Sequence, residues 1–236
     1  MSSEGKPFIK KEKINSVISL FSNGSFDRAL KDLESLTKDY PDDSLLFNIK
    51  GACYAGLGQL DKAVNSYKVA VTINPQYSKA HYNLGGAFHE MGALDDSVQS
   101  YLKSLSIEPD YAEAHNNLGN VYRQQRLLDR AINSYMKAIS INPDYVEAHY
   151  SIGLIFQDLG QIDSMISHIE KVLTIKPNFA EAHNNLGIAL KSIGQLDDAI
   201  LSYKNALLIQ PNNIEVHNNL GNVYKEKGLI DEAIRS

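Results

Sequence analysis

The chain has little of what most chemistries require. It holds one cysteine, Cys53, among 236 residues, so no disulfide can form within it. Charge of one sign is scarce as well: 23 Lys and Arg stand against 28 Asp and Glu, a net of −5. Without a basic excess to neutralise phosphates, a nucleic-acid ligand is disfavoured. The local exception, KPFIKKEK at 6–13, reads as a solvated terminus. No apolar run approaches the roughly 20 residues of a membrane span. The opening stretch MSSEGKPFIKKEK lacks the apolar core of a secretory signal. A cytoplasmic protein that engages no membrane is the expectation. No phosphate-cradling loop, dinucleotide fingerprint or nucleophile elbow occurs, so no cofactor and no catalytic constellation are implied.

Proline is also rare, with seven residues, yet its placing is the strongest signal in the chain. Pro41, Pro75, Pro109, Pro143, Pro177 and Pro211 follow one another at intervals of 34. A strict period of this length marks a stacked repeat of helix–turn–helix units. With proline at position 32, the repeats begin at residues 10, 44, 78, 112, 146, 180 and 214. Apolar or small residues recur at positions 7, 8 and 11, and again at 20, 24 and 27, each set on one helical face. Between the two faces, position 15 carries Gly24, Gly58, Gly92, Gly160, Gly194 and Gly228, suited to ending a helix. Proline then breaks the second helix. A further glycine at position 8 (Gly51, Gly85, Gly119, Gly153, Gly187, Gly221) lies inside the first helix. There it costs about 1 kcal/mol relative to alanine. Close approach to a small residue at position 20 (Ala63, Ser97, Ala131, Ala199 or Ala233) is the expected compensation. One such pair cannot bury its apolar face alone, so the repeats must stack.

The pattern aromatic-x-x-Leu-Gly-x-x-Tyr, then Ala-x-x-x-aromatic, then Pro resembles the tetratricopeptide repeat across residues 10–236. The resemblance implies an all-α, right-handed superhelical solenoid of antiparallel helix pairs. It divides the chain into a flexible segment 1–9, an atypical first repeat 10–43, five complete repeats 44–213 and a shortened seventh repeat 214–236. Departures are local. The first repeat has Val17 and Leu36 at small positions, the fifth has Met165 and Val172, and the fourth has Arg126 in place of the turn glycine.

In that family the first helices line a concave surface, and position 6 tends to face it. Carried over, the resemblance points to Asn15, Asn83, Asn117, Asn185 and Asn219, a series interrupted by Ile49 and Ser151. Asn116, Asn184 and Asn218 at position 5, and Asn120 and Asn222 at position 9, extend it. Tyr82 and Tyr150, also at position 5, are candidate aromatic anchors or packing residues. The row is similar to the asparagine ladder in the repeat region of O-linked N-acetylglucosamine transferases, where such amides hold an extended peptide. A primary amide has two donors and two acceptor lone pairs, so it can match a peptide unit. Amides serving only a ligand would be replaceable by alanine with little loss of stability. A clamp for acidic chaperone tails is not expected, because Glu113, Glu147, Glu181 and Glu215 stand where basic residues belong.

Five histidines recur at position 4: His81, His115, His149, His183 and His217. Packing is their expected role, since sites about 10 Å apart cannot share a metal ion bound at roughly 2 Å. Cys53 sits at a mainly apolar position and reads as a buried hydrophobe. The expected function is a non-catalytic protein-interaction scaffold that binds an extended peptide or protein segment. One alternative is the recognition region of a larger enzyme, a glycosyltransferase, sulfotransferase or oxygenase, because the register stops at DEAIRS before the next proline. The other is self-association through Ile230, Ala233 and Ile234.

Overall fold

The computed structural model describes residues 5–235. Of the segment 1–9, residues 1–4 lie outside the described residues, and Gly5 opens the first helix. Among the described residues the chain is entirely helical apart from short turns, with no strand. Two compact units divide it after Leu127. The first holds α1 (Gly5–Ser22), α2 (Phe26–Asp39), α3 (Ser44–Gly56), α4 (Leu60–Ile73), α5 (Ser78–Glu90), α6 (Leu94–Ile107) and α7 (Ala112–Gln124). The second holds α8 (Leu128–Ile141), α9 (Val146–Asp158), α10 (Ile162–Ile175), α11 (Ala180–Ser192), α12 (Leu196–Ile209), α13 (Ile214–Glu226) and α14 (Ile230–Arg235).

Each helix hairpin closes in the same way. Gly58 has φ of 69°. Its N–H donates to the Ala55 carbonyl, and the Gln59 N–H reaches back to the Tyr54 carbonyl, both at 2.9 Å. This 5→2 and 6→1 pairing satisfies carbonyls that the helix end would otherwise leave open. Arg126 occupies the same place in the fourth repeat and takes the same left-handed conformation, with φ of 62°. Its N–H donates to Arg123 and the Leu127 N–H to Tyr122. The turn is thus imposed by position in the repeat, against the preference of a residue with a Cβ. Acidic residues open the second helices, such as Asp95 and Asp96 in α6 and Asp197 and Asp198 in α12. They complement the helix dipole.

Within each unit, successive helices pack as neighbours: α3 on α4 and α4 on α5, for instance, and α9 on α10 and α10 on α11. Apolar clusters lie between them. Leu33, Leu36, Leu46 and Cys53 join α2 to α3. Met165, Ile169, Val172, Ala182 and Ala189 join α10 to α11. Burial pushes the Cys53 thiol up to about 11, as expected of a buried hydrophobe.

The space beside the position-8 glycine is filled differently from the expectation. A Cβ added at Gly51 would lie 2.6 Å from the Tyr67 ring, and one at Gly187 would lie 2.6 Å from the Tyr203 ring. The residue pressed against the glycine is therefore position 24, an almost fully buried tyrosine, rather than the small residue at position 20. Position 20 does touch the glycine's backbone in the third repeat, where Ser97 Oγ donates to the Gly85 carbonyl at 2.7 Å. In the fifth repeat Ile169 takes the tyrosine's place against Gly153.

Candidate functional site

The recurrent histidines fasten the turn that precedes each first helix. Nε2 of His81, His115, His149, His183 and His217 lies 2.8–3.1 Å from the carbonyl of the proline six residues earlier. A carbonyl only accepts, so each ring carries its proton on Nε2. Burial lowers the basicity of His81 and His149, which keeps the neutral form in place. Packing is the role the sequence suggests for these residues; the hydrogen bond to the proline carbonyl is a more specific one. Within the turn, Asn74 and Asn142 accept the backbone N–H two residues on.

With its start fixed in this way, each first helix presents position 6 to the preceding repeat and position 5 to the next. In the first unit, Asn83 Nδ2 donates to Asn48 Oδ1 at 2.9 Å, and Asn117 Nδ2 donates to the Tyr82 hydroxyl at 2.9 Å. In the second unit, Asn185 Nδ2 donates to the Tyr150 hydroxyl at 3.0 Å, and Asn219 Nδ2 donates to Asn184 Oδ1 at 3.1 Å. Every one of these bonds joins residues 35 apart, position 6 of one repeat to position 5 of the one before. Each unit therefore carries a row of amides clasped from repeat to repeat.

The position-5 residues Asn48 and Asn184 sit deeper than their position-6 partners, while Tyr82 and Tyr150 are half-buried like theirs. Asn48, Asn116 and Asn184 are buried, whereas Asn83, Asn117, Asn185 and Asn219 are half-buried. Tyr82 packs against Tyr111 with ring centroids 4.8 Å apart, and Tyr150 packs against Phe179 at 5.0 Å. Burial raises both phenols above their ordinary value, and the asparagine bond opposes that shift. Both remain protonated, so each hydroxyl that accepts from asparagine still has a hydrogen to donate. Where position 5 is Asn48, its Nδ2 instead approaches the Tyr77 hydroxyl at 3.5 Å. Asn184 Nδ2 donates to Glu215 at 3.2 Å, and Asn116 Nδ2 donates to Asn117 at 3.3 Å.

Of the residues singled out in the sequence, the structure thus brings together Asn83, Asn116, Asn117, Asn184, Asn185, Asn219, Tyr82 and Tyr150 in these rows. Asn218 and Asn222 are exposed, and Asn120 is half-buried. Sequence reasoning missed Asn48 as an acceptor and Glu215 as a partner. The signal was present in the interval of 35, which pairs a position-6 amide with a polar acceptor at position 5. Where position 6 is Ile49, position 5 of the repeat before is Ile14, and both join one apolar cluster.

Among the described residues, no three His, Cys, Asp or Glu side chains are grouped to hold a metal ion. No described helix is long and apolar enough to cross a membrane. At the C-terminal end of the second unit, Ile230 and Ile234 are exposed, while Ala233 packs against the cluster of α12 and α13.

Comparison with known proteins places these repeats. The peroxisomal targeting signal receptor of Candida albicans is 32% identical over 65 residues, which is 28% of this chain and 11% of the receptor. The chain thus spans about a tenth of the length of the curated relatives it matches. Among solved structures, MamA is 28% identical, with a TM-score of 0.65 over 70% of this chain and 96% of its own. YrrB, described as a TPR protein with an unusual peptide-binding site, shares the fold at 18% identity. Its TM-score is 0.66 over 78% of this chain and 95% of its own. A family model described as "TPR repeat" matches residues 51–92, 85–126, 119–160 and 189–228. Two described as "Tetratricopeptide repeat" match 146–179 and 168–200. The chain belongs to the tetratricopeptide repeat family.

Proposed function

We propose that each unit holds an extended peptide or protein segment along its row of clasped amides. Membership of the family makes the chain a protein-interaction scaffold; the rows suggest how the interaction is made. The observation that carries the reading is the division of labour within three of the four clasped position-6 amides, Asn83, Asn185 and Asn219. One N–H is committed to the preceding repeat, which fixes the plane of the group. The Oδ1 atoms of Asn83, Asn185 and Asn219 take no hydrogen bond from the described residues. They are acceptors whose direction is set before any ligand arrives, and such preorganisation lowers the entropic cost of binding. The hydroxyl hydrogens of Tyr82 and Tyr150 supply donors beside them. A row with both is suited to a peptide backbone, which offers N–H and C=O in turn. YrrB, with its described peptide-binding site, and the targeting signal receptor are relatives in keeping with a peptide ligand. The reading assigns this chain binding and no catalysis.

The test leaves the protein unaltered. Peptides are selected from a displayed library, and the best is resynthesised with a single backbone N-methyl group at each position in turn. Packed helices lie about 10 Å apart and an extended peptide advances about 3.3 Å per residue. Loss of affinity is therefore expected at every third residue or so, by about two- to tenfold each, the worth of one hydrogen bond. Uniform tolerance of N-methylation, or a library that yields no binder, would contradict the reading.

A further inference from the structure

The fifth repeat departs from its neighbours at position 23. The second, third, fourth and sixth repeats have Ser66, Ser100, Ser134 and Ser202 there, and each Oγ donates to the carbonyl four residues earlier. The fifth has His168. Its Nδ1 lies 3.1 Å from Nδ1 of His149 on α9, with the ring centroids 5.3 Å apart. His149 is only 8% exposed, and its Nε2 donates to the Pro143 carbonyl. Neutral His149 therefore offers Nδ1 as an acceptor, and His168 must donate from its own Nδ1. Phe156 flanks the His168 ring at 5.7 Å.

The proton count of this pair has a ceiling. One added proton can sit on Nε2 of His168, since the resulting imidazolium still donates from Nδ1. A second would set N–H against N–H and two cations in contact. We propose that the His149–His168 pair is a proton-sensitive fastener between α9 and α10, closed at neutral pH and opened by the second proton. The two rings titrate as one coupled unit.

The surroundings favour the neutral pair. Burial holds both rings below the ordinary histidine range; for His168 the charge of His149 adds to this. Around His149, the Pro143 hydrogen bond and Asp144 act the other way, and Lys171 lowers it further. Lys171 and Asp144 are themselves an ion pair at 2.8 Å. From α11, the apolar side chains of Ala182, Leu186 and Ala189 pack in the cluster around α10. Because the folded values lie below the unfolded value of about 6.5, the unfolded chain binds more protons. The contribution is intact above that pH and is lost as pH falls below it.

Hydrogen exchange of the full chain tests this, at pH 7.5 and 5.0 with rates corrected for the intrinsic pH dependence of exchange. Segment 146–175 should lose protection several-fold more than the equivalent segment 180–209 of the sixth repeat, which has Ser202 at position 23. In His168→Ser, which restores the serine of the other repeats, the two segments should respond alike. His168→Asn, which keeps a donor but cannot titrate, should do the same. An equal response of the two segments in the unaltered chain would overturn the proposal. So would an excess that persists in both variants.

Discussion

At the scale of single residues, Arg126 shows how far the repeat overrides local preference. The backbone at this position is left-handed whatever the side chain, with φ between 62° and 78° across the seven equivalent turns. A residue with a Cβ pays roughly 1–2 kcal/mol there, and glycine returns part of that through the freedom of its unfolded chain. Arg126→Gly should therefore stabilise the protein by about 0.5–1 kcal/mol, read as a higher midpoint in urea unfolding with unchanged slope. The turn itself was legible in the sequence, because six of seven repeats write glycine at position 15. The histidine fastening was not. Its acceptor is a backbone carbonyl, common to every residue, so no letter in the sequence marks it.

At the scale of the helix pair, the position-8 glycine was legible as a site of close approach, but its partner was misread. Small residues at position 20 suggested themselves because they too recur. The structure instead puts the position-24 ring over the missing Cβ, a matter of ring direction that periodicity alone does not give. The consequence is testable at Gly187. Alanine there would gain about 1 kcal/mol of helix propensity but would place a Cβ 2.6 Å from Tyr203, itself 1% exposed. Overpacking of this kind costs about 1–3 kcal/mol. Gly187→Ala is expected to lower the thermal midpoint of unfolding despite the better helix former, and a rise would mean that Tyr203 has room to move.

At the scale of the whole molecule, the period of 34 was enough to assign a stacked helix–turn–helix repeat, its helix order and the first helices as bearers of the polar row, while the residue pattern within each repeat carried the resemblance to the family. It was not enough to show that the row is clasped from repeat to repeat. In the sequence, Asn83, Asn117, Asn185 and Asn219 read as amides serving only a ligand, and so replaceable by alanine at little cost to stability. Their partners stand one position away in the preceding repeat, at the interval of 35, which only stacking brings into contact. The account rests on these clasps, since an amide free to rotate would be no better prepared for a peptide than any surface asparagine. The most direct measurement is a double-mutant cycle on Tyr150→Phe and Asn185→Ala in the full chain, by denaturant unfolding. Tyr150→Phe removes the hydroxyl that accepts from Asn185 at 3.0 Å and keeps the ring against Phe179. A coupling of about 1 kcal/mol between the two substitutions is predicted. Additivity within about 0.3 kcal/mol would mean that the clasp does not hold the amide, and would contradict the account.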